Sequence, residues 1–140
     1  MSEKTAVEAH PVIPVLIEQG YLDGKGLIEG DPGEFEGEGI EAEDGGATPG
    51  FRTHVVHTGN ILVSIYEAGP AKVRIDGSHY DEFVQVLMGR LILTPDGGEP
   101  TEYKVGDSLV VPKGFTGTWD MPERYRELIV VDTLFMQAEE

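Results

Sequence analysis

The chain has 140 residues, enough for one core and too few for separate catalytic and regulatory units. A formal charge of −16 works against nucleic acid, whose binding depends on Lys and Arg displacing counterions, and no apolar run approaches the ~20 residues needed to span a bilayer. The absence of cysteine excludes disulfides, thiolate metal sites and cysteine nucleophiles.

Met1 to Glu8 is charged and is not followed by the ~7–15-residue apolar block of a signal peptide. A soluble, cytoplasmic protein with no membrane partner is therefore expected. Pro14-Val15-Leu16-Ile17-Glu18-Gln19-Gly20 reads as a short helical turn closed by glycine, or as a short strand. Glu29 to Asp44 carries eight acidic residues in sixteen with glycines interspersed, too polar to build core. It reads as a solvated loop. Its carboxylates do not follow the spacing of an EF-hand.

From Phe51 the chain changes to short runs rich in Val, Ile, Thr and Tyr, punctuated by Gly and Pro about every ten residues. The pattern predicts strands over Arg52–His57, Ile61–Glu67, Ala71–Asp76, Glu82–Met88, Arg90–Thr94, Thr101–Tyr103, Ser108–Val111, Gly117–Met121 and Tyr125–Leu134. Pro95-Asp96-Gly97-Gly98 supplies the positive-φ positions of a tight reversal. No convincing helical periodicity separates the strands. The expectation is an all-β sandwich or barrel over residues 51–140, with residues 1–50 forming an N-terminal arm that contains the acidic, Gly-rich loop.

Two stretches carry a family resemblance. Glu82 is followed after six residues by Gly89, and Gly106 after five by Pro112 and then Gly114. These match the punctuation of the two cupin motifs, G-x5-H-x-H-x3,4-E-x6-G and G-x5-P-x-G-x2-H-x3-N. Pro112-Lys113-Gly114-Phe115-Thr116-Gly117-Thr118-Trp119-Asp120-Met121-Pro122-Glu123 resembles the branch called domain of unknown function 861, which is similar to ureidoglycine aminohydrolase and ethanolamine-utilisation cupins. The resemblance covers roughly Gly69 to Leu134 and implies a single-domain double-stranded β-helix, or jelly-roll barrel, of the RmlC-like kind with an N-terminal extension. It also implies a homodimer paired through its sheets, and the segment before Phe51 is expected to cross to the partner and extend its sheet.

The metal ligands implied by the resemblance do not carry over. The motif's histidine positions hold Asp76, Ser78 and Gly117, and Glu82 alone of four ligands matches. Divalent transition metals in catalytic sites generally take three protein ligands, often imidazoles. No cofactor is expected; were a divalent metal present, Glu82 and Asp76 with His79 would hold it. In a regular strand His79 faces away from Asp76 and Glu82. A bulge would reverse that.

Other residues suggest a ligand cavity. Trp119 shares a strand face with Gly117, where it either fills the core or walls a ligand. Arg74, Asp76 and Ser78 share one phase, so Arg74 beside Asp76 or Glu82 would suit a carboxylate, or form a surface ion pair. Arg126 reaches the same cavity or pairs with Glu123. Tyr66 and Tyr80 are candidate walls. His54 and His57, three residues apart, fall on opposite faces of a regular strand, and His54 alone is a candidate general base. Three functions remain open. The first is metal-free binding of a small carboxylate or sugar-like metabolite. The second is acid–base catalysis on a small nitrogenous or carbohydrate substrate by Glu82 or Asp76 with Arg74 as anchor. The third is a ligandless structural dimer closed by Trp119.

Overall fold

A computed structural model describes residues 11–30, the backbone of 40–42, and residues 50–134. Its strands are β1 (Ile28–Glu29), β2 (Ile40–Ala42), β3 (Phe51–Thr58), β4 (Ile61–Ala68), β5 (Ala71–Asp76), β6 (Glu82–Met88), β7 (Arg90–Pro95), β8 (Thr101–Lys104), β9 (Ser108–Val111), β10 (Thr116–Met121) and β11 (Tyr125–Asp132). They form two antiparallel sheets, one ordered β1-β3-β4-β11-β6-β9 and the other β2-β5-β10-β7-β8. From β5 onward the chain steps between the sheets at every connection except the β7–β8 hairpin, which is the jelly roll expected from the sequence.

Strand alternation builds the core. Val73 and Ile75 on β5, Val84 and Val86 on β6, Leu91 and Leu93 on β7, Trp119 and Met121 on β10, and Tyr125 on β11 point inward and form one buried cluster with Phe51 and Ala68. Gly89 turns the corner from the first sheet to the second at φ 76°, and a Cβ there would collide with the Arg124 carbonyl oxygen. Gly97, at φ 78°, makes the reversal after β7, where Gly98 N–H donates to Pro95 O.

Several sequence expectations need correction. The helical turn is displaced: α1 covers Gln19–Leu22, and residues 11–18 have no regular structure. Two short strands were not expected, β1 on the edge of β3 and β2 on the edge of β5. β2 lies inside the acidic tract read as loop. Backbone pairing to a free edge needs no apolar side chain, which is why composition missed it. Residues 31–39 and 43–49 of that region lie outside the described residues. β11 ends at Asp132, whose Oδ1 accepts the Leu134 N–H while Thr133 N–H turns to Asn60 O. No helix among the described residues is long and apolar enough to cross a membrane.

Candidate functional site at the barrel mouth

The site lies where β6 begins and where two loops meet. Loop 77–81 is tied to loop 112–115 by Gly77 and Ser78 N–H groups donating to Phe115 O, by Gly114 N–H to Ser78 O, and by Lys113 N–H to Asp81 Oδ1. Between these loops and the barrel wall is a small cavity of about 20 Å³ that opens to solvent, lined by Ile75, Ser78, His79, Tyr80, Glu82, Val111, Phe115 and Trp119. Ser78 Oγ donates to Tyr80 O at 3.1 Å, holding the turn that carries His79.

Glu82 is the acidic side chain of this cavity, and it is buried. On β6 it shares the inward phase with Val84 and Val86, so a carboxyl stands where alternation would place an aliphatic group. Burial pushes it up to about 8. Deeper in the barrel is a second buried carboxyl, Glu127, in the inward phase of β11. Its value is raised first by burial and then by the charge of Glu82, against a hydrogen bond from Tyr125. That bond, Tyr125 Oη to Glu127 Oε1, is 2.6 Å long. Tyr66 is the register partner of Glu127 on β4, and its hydroxyl is shifted up by burial and then by both glutamates.

The structure brings Ser78, His79, Tyr80, Glu82 and Trp119 to one cavity and leaves the other candidates elsewhere. His79 faces the same space as Glu82 because residues 77–81 are loop and strand alternation does not apply to them. Arg74 and Asp76 occupy the outward phase of β5, opposite Val73 and Ile75. Arg74 grips Asp96 with two bonds, 2.7 and 2.6 Å, on the outside. It does not stand beside Glu82. Asp76 is exposed, so Glu82, Asp76 and His79 are not a ligand set. Tyr66 lies inside the barrel away from the cavity lining.

Arg126 neither enters the cavity nor pairs with Glu123. It points outward from β11 to its register partner Glu67, with Nε 2.8 Å from Oε1. Arg52 Nη2 and Arg124 Nε reach the other oxygen of Glu67 at 2.8 and 2.7 Å. Burial alone would raise Glu67, but the hydrogen bonds from Arg126, Arg52 and Arg124 outweigh it and hold the carboxyl at about 2. His54 stacks on Tyr21 at 3.5 Å on the outer face. A register shift between Val55 and His57 turns His57 outward too, where a regular strand would separate the pair.

Sequence reasoning missed Glu127 and Tyr125. A usable signal was present, since both alternate with Ile129 and Val131 along an otherwise apolar strand face.

Gly117 faces inward from β10, where a Cβ would collide with the Thr94 carbonyl oxygen and sit 3.0 Å from the Phe115 ring. No imidazole fits there. Among the described residues no three His, Asp or Glu side chains are grouped to hold a metal ion. The site does not fit the metal that the fold implies.

Residues 56–127 match the family model of the EutQ-like cupin domain. The chain belongs to the EutQ-like cupin family. Among solved structures, this cupin is similar to an ethanolamine utilization protein Q of Salmonella typhimurium LT2, with 24% identity and a TM-score of 0.52 over 59% of this chain and 68% of that one. It is also similar to the Clostridium difficile EutQ protein, with 20% identity and a TM-score of 0.55 over 66% and 75%. A DUF861-family protein of unknown function from Pseudomonas syringae pv. tomato aligns with a TM-score of 0.63 at 16% identity, over 75% of this chain and 43% of that one. At these identities the likeness concerns the fold. No curated protein matches the sequence.

Proposed function

We propose that this cupin binds a small, uncharged, polar molecule, such as a polyol, alcohol or amide, on the protonated carboxyl of Glu82. The observation that supports this reading is a buried Glu82 opening onto a cavity with no Lys or Arg in its described lining. A carboxyl near 8 is mostly protonated at neutral pH, so it offers one donor and one acceptor to a hydroxyl or amide. Ser78, His79 and Tyr80 add polar groups at the rim, and Trp119 and Phe115 form apolar walls. A carboxylate ligand would meet Glu82 with no guanidinium beside it, since Arg74 is engaged with Asp96 outside the barrel. Of the two ligand classes expected from the sequence, the geometry favours the sugar-like one.

Trp119 is the only tryptophan of the chain and it lines the cavity, so its emission reports occupancy. Titration with glycerol, a monosaccharide, acetamide, acetate and ethanolamine tests the proposal, the last taken from the name of the Salmonella relative. Saturable changes are expected with neutral probes, kept within a few-fold in Glu82→Gln and weakened at least tenfold in Glu82→Ala. Tighter binding of acetate or of the ethanolammonium cation than of every neutral probe would sink it.

One observation favours a second reading as an enzyme. Glu82 and Glu127 are two buried carboxyls, each raised by burial, and the charge of Glu82 raises Glu127 further, a setting that separates acid and base forms near neutral pH. In that case Glu82 would move a proton to or from the bound molecule. Turnover with a pH profile breaking near 8, abolished in Glu82→Gln, would distinguish catalysis from binding alone.

A further inference from the structure

The outer face of the larger sheet carries a group of arginines that the Glu82 cavity does not use. Strand register places Glu29 on β1, Arg52 on β3, Glu67 on β4 and Arg126 on β11 in one transverse row, and Arg124 joins it from the turn before β11. Glu67, with its side chain 3% exposed, takes three guanidiniums at once: Arg126 on Oε1, and both Arg52 and Arg124 on Oε2. One carboxylate does not neutralise three cations. Glu29 lies beside Arg52 in the register but forms no ion pair with it among the described residues, and Glu123, next to Arg124 in the chain, is bonded to Arg90.

The three arginines divide by how fully each is engaged. Arg126 is 14% exposed and all its side-chain nitrogens are taken, Nε by Glu67, Nη1 by the Leu22 carbonyl and Nη2 by the Met88 sulfur. It pins Glu67 and the loop after α1. Arg52 and Arg124 are 37% and 50% exposed, and among the described residues each donates from a single nitrogen, Nη2 and Nε respectively. A guanidinium has five N–H donors, so most of both forks meets no protein acceptor. Arg52 Nε is moreover buried, and among the described residues it is the one buried side-chain nitrogen or oxygen with no partner. Buried donors are normally satisfied, and an exception calls for an explanation such as a bound ion.

We propose that Arg52 and Arg124 together bind a phosphate group, free or as a phosphate monoester, on the outside of the barrel. Sharing one oxygen of Glu67 holds the two guanidiniums side by side, and a dianion against both relieves their mutual repulsion. Each fork matches two phosphate oxygens, and two forks supply two positive charges. Glu67 fixes both forks beforehand, with Arg126 behind it, so little side-chain ordering is left to oppose binding. The net charge of −16 repels anions at long range, but at about 0.1 M salt charges more than about 10 Å away are largely screened and the local excess of guanidinium decides. The site is separate from the cavity at Glu82, whose described lining has neither Lys nor Arg.

Calorimetric titration of the full chain with inorganic phosphate, at about pH 7.5 where the phosphate group is mainly dianionic and at constant ionic strength set with chloride, tests the proposal. One saturable site with a millimolar or tighter dissociation constant is expected. Arg52→Gln and Arg124→Gln should each weaken it at least tenfold, and Arg124→Lys, which keeps the charge and loses the fork, at least threefold. Arg74→Gln removes one charge from the other sheet and should leave binding within twofold. In chloride all four variants are expected to keep the parent's circular-dichroism spectrum, and phosphate should raise the melting temperature of the parent and of Arg74→Gln but not of Arg124→Gln. Phenyl phosphate bound as tightly as inorganic phosphate supports the proposal with a monoester as ligand, and weaker binding of phenyl phosphate supports it with free phosphate. Neither saturable heat nor broadening of the phosphorus resonance at about 10 mM phosphate, some tenfold above a millimolar dissociation constant, overturns the proposal. Undiminished binding by Arg124→Gln overturns it equally, as does acetate bound as tightly as phosphate.

Discussion

Tyr125 donates a 2.6 Å hydrogen bond to Glu127 two residues further along the same strand, and both side chains are buried inside the barrel. Successive inward positions of one strand are close enough for the pair to satisfy each other, so a polar couple sits in an otherwise apolar core. Removing the donor alone leaves the carboxyl without this bond. Tyr125→Phe is therefore expected to cost about 1–3 kcal/mol. Chemical denaturation checks this, and the loss should be greater at pH 8 than at pH 5, because Glu127 then has stronger reason to ionise and less to stabilise it.

The pH dependence of stability has two opposed limbs. Glu82 keeps its proton in the folded protein up to about pH 8, against an ordinary carboxyl value of 4.5. Between those values the unfolded chain has released the proton and the folded chain has not, so stability falls as pH rises, by up to about 1.4 kcal/mol per unit for one group. Glu127 shifts in the same direction and adds to the loss. Glu67 works the other way: its folded value near 2 lies below 4.5, so its contribution is present above 4.5 and lost as pH falls through 2. Greatest stability is expected near about pH 4 to 5. Urea midpoints across pH should show it, with Glu82→Gln flattening only the alkaline limb. A midpoint that climbs steadily from pH 5 to 8 would contradict this account.

Glu67 is buried among three arginines, and its removal strands their charges. Glu67→Gln is expected to destabilise by about 1–3 kcal/mol, most of it through Arg126, the one of the three arginines that is mostly buried. Arg124 is half exposed, so Arg124→Gln should cost less than about 1 kcal/mol. Thermal melts of the two variants at pH 7 compare them directly, and equal costs would show that Glu67 does not organise the cluster.

Gly117→His restores the residue of the cupin motif and should not restore a metal. The backbone of β7 stands where the side chain would begin, so even Gly117→Ala is expected to lose about 1–3 kcal/mol through forced repacking. Elemental analysis after incubation with manganese, iron, nickel or zinc should find no gain in bound metal for Gly117→His over the parent. A stoichiometric gain would mean that β7 gives way.

Alternation of side chains along a strand is a local property, and it makes most of this fold legible in the sequence. The sequence by itself determined the nine principal strands to within a residue or two and the shared face of Gly117 and Trp119, while the assembled barrel turned that face and Glu82 inward. Tertiary structure decided what local phase cannot express. His79 joins Glu82 because a loop breaks the alternation, and His57 turns outward because β3 bulges. Arg74, already outward by the phase of β5, is paired with Asp96 on a turn twenty-two residues away, and Arg126 is held by Glu67 across a strand pair fifty-nine residues apart. Partners of a charge are chosen by which strands fold side by side, and that choice belongs to the assembled barrel.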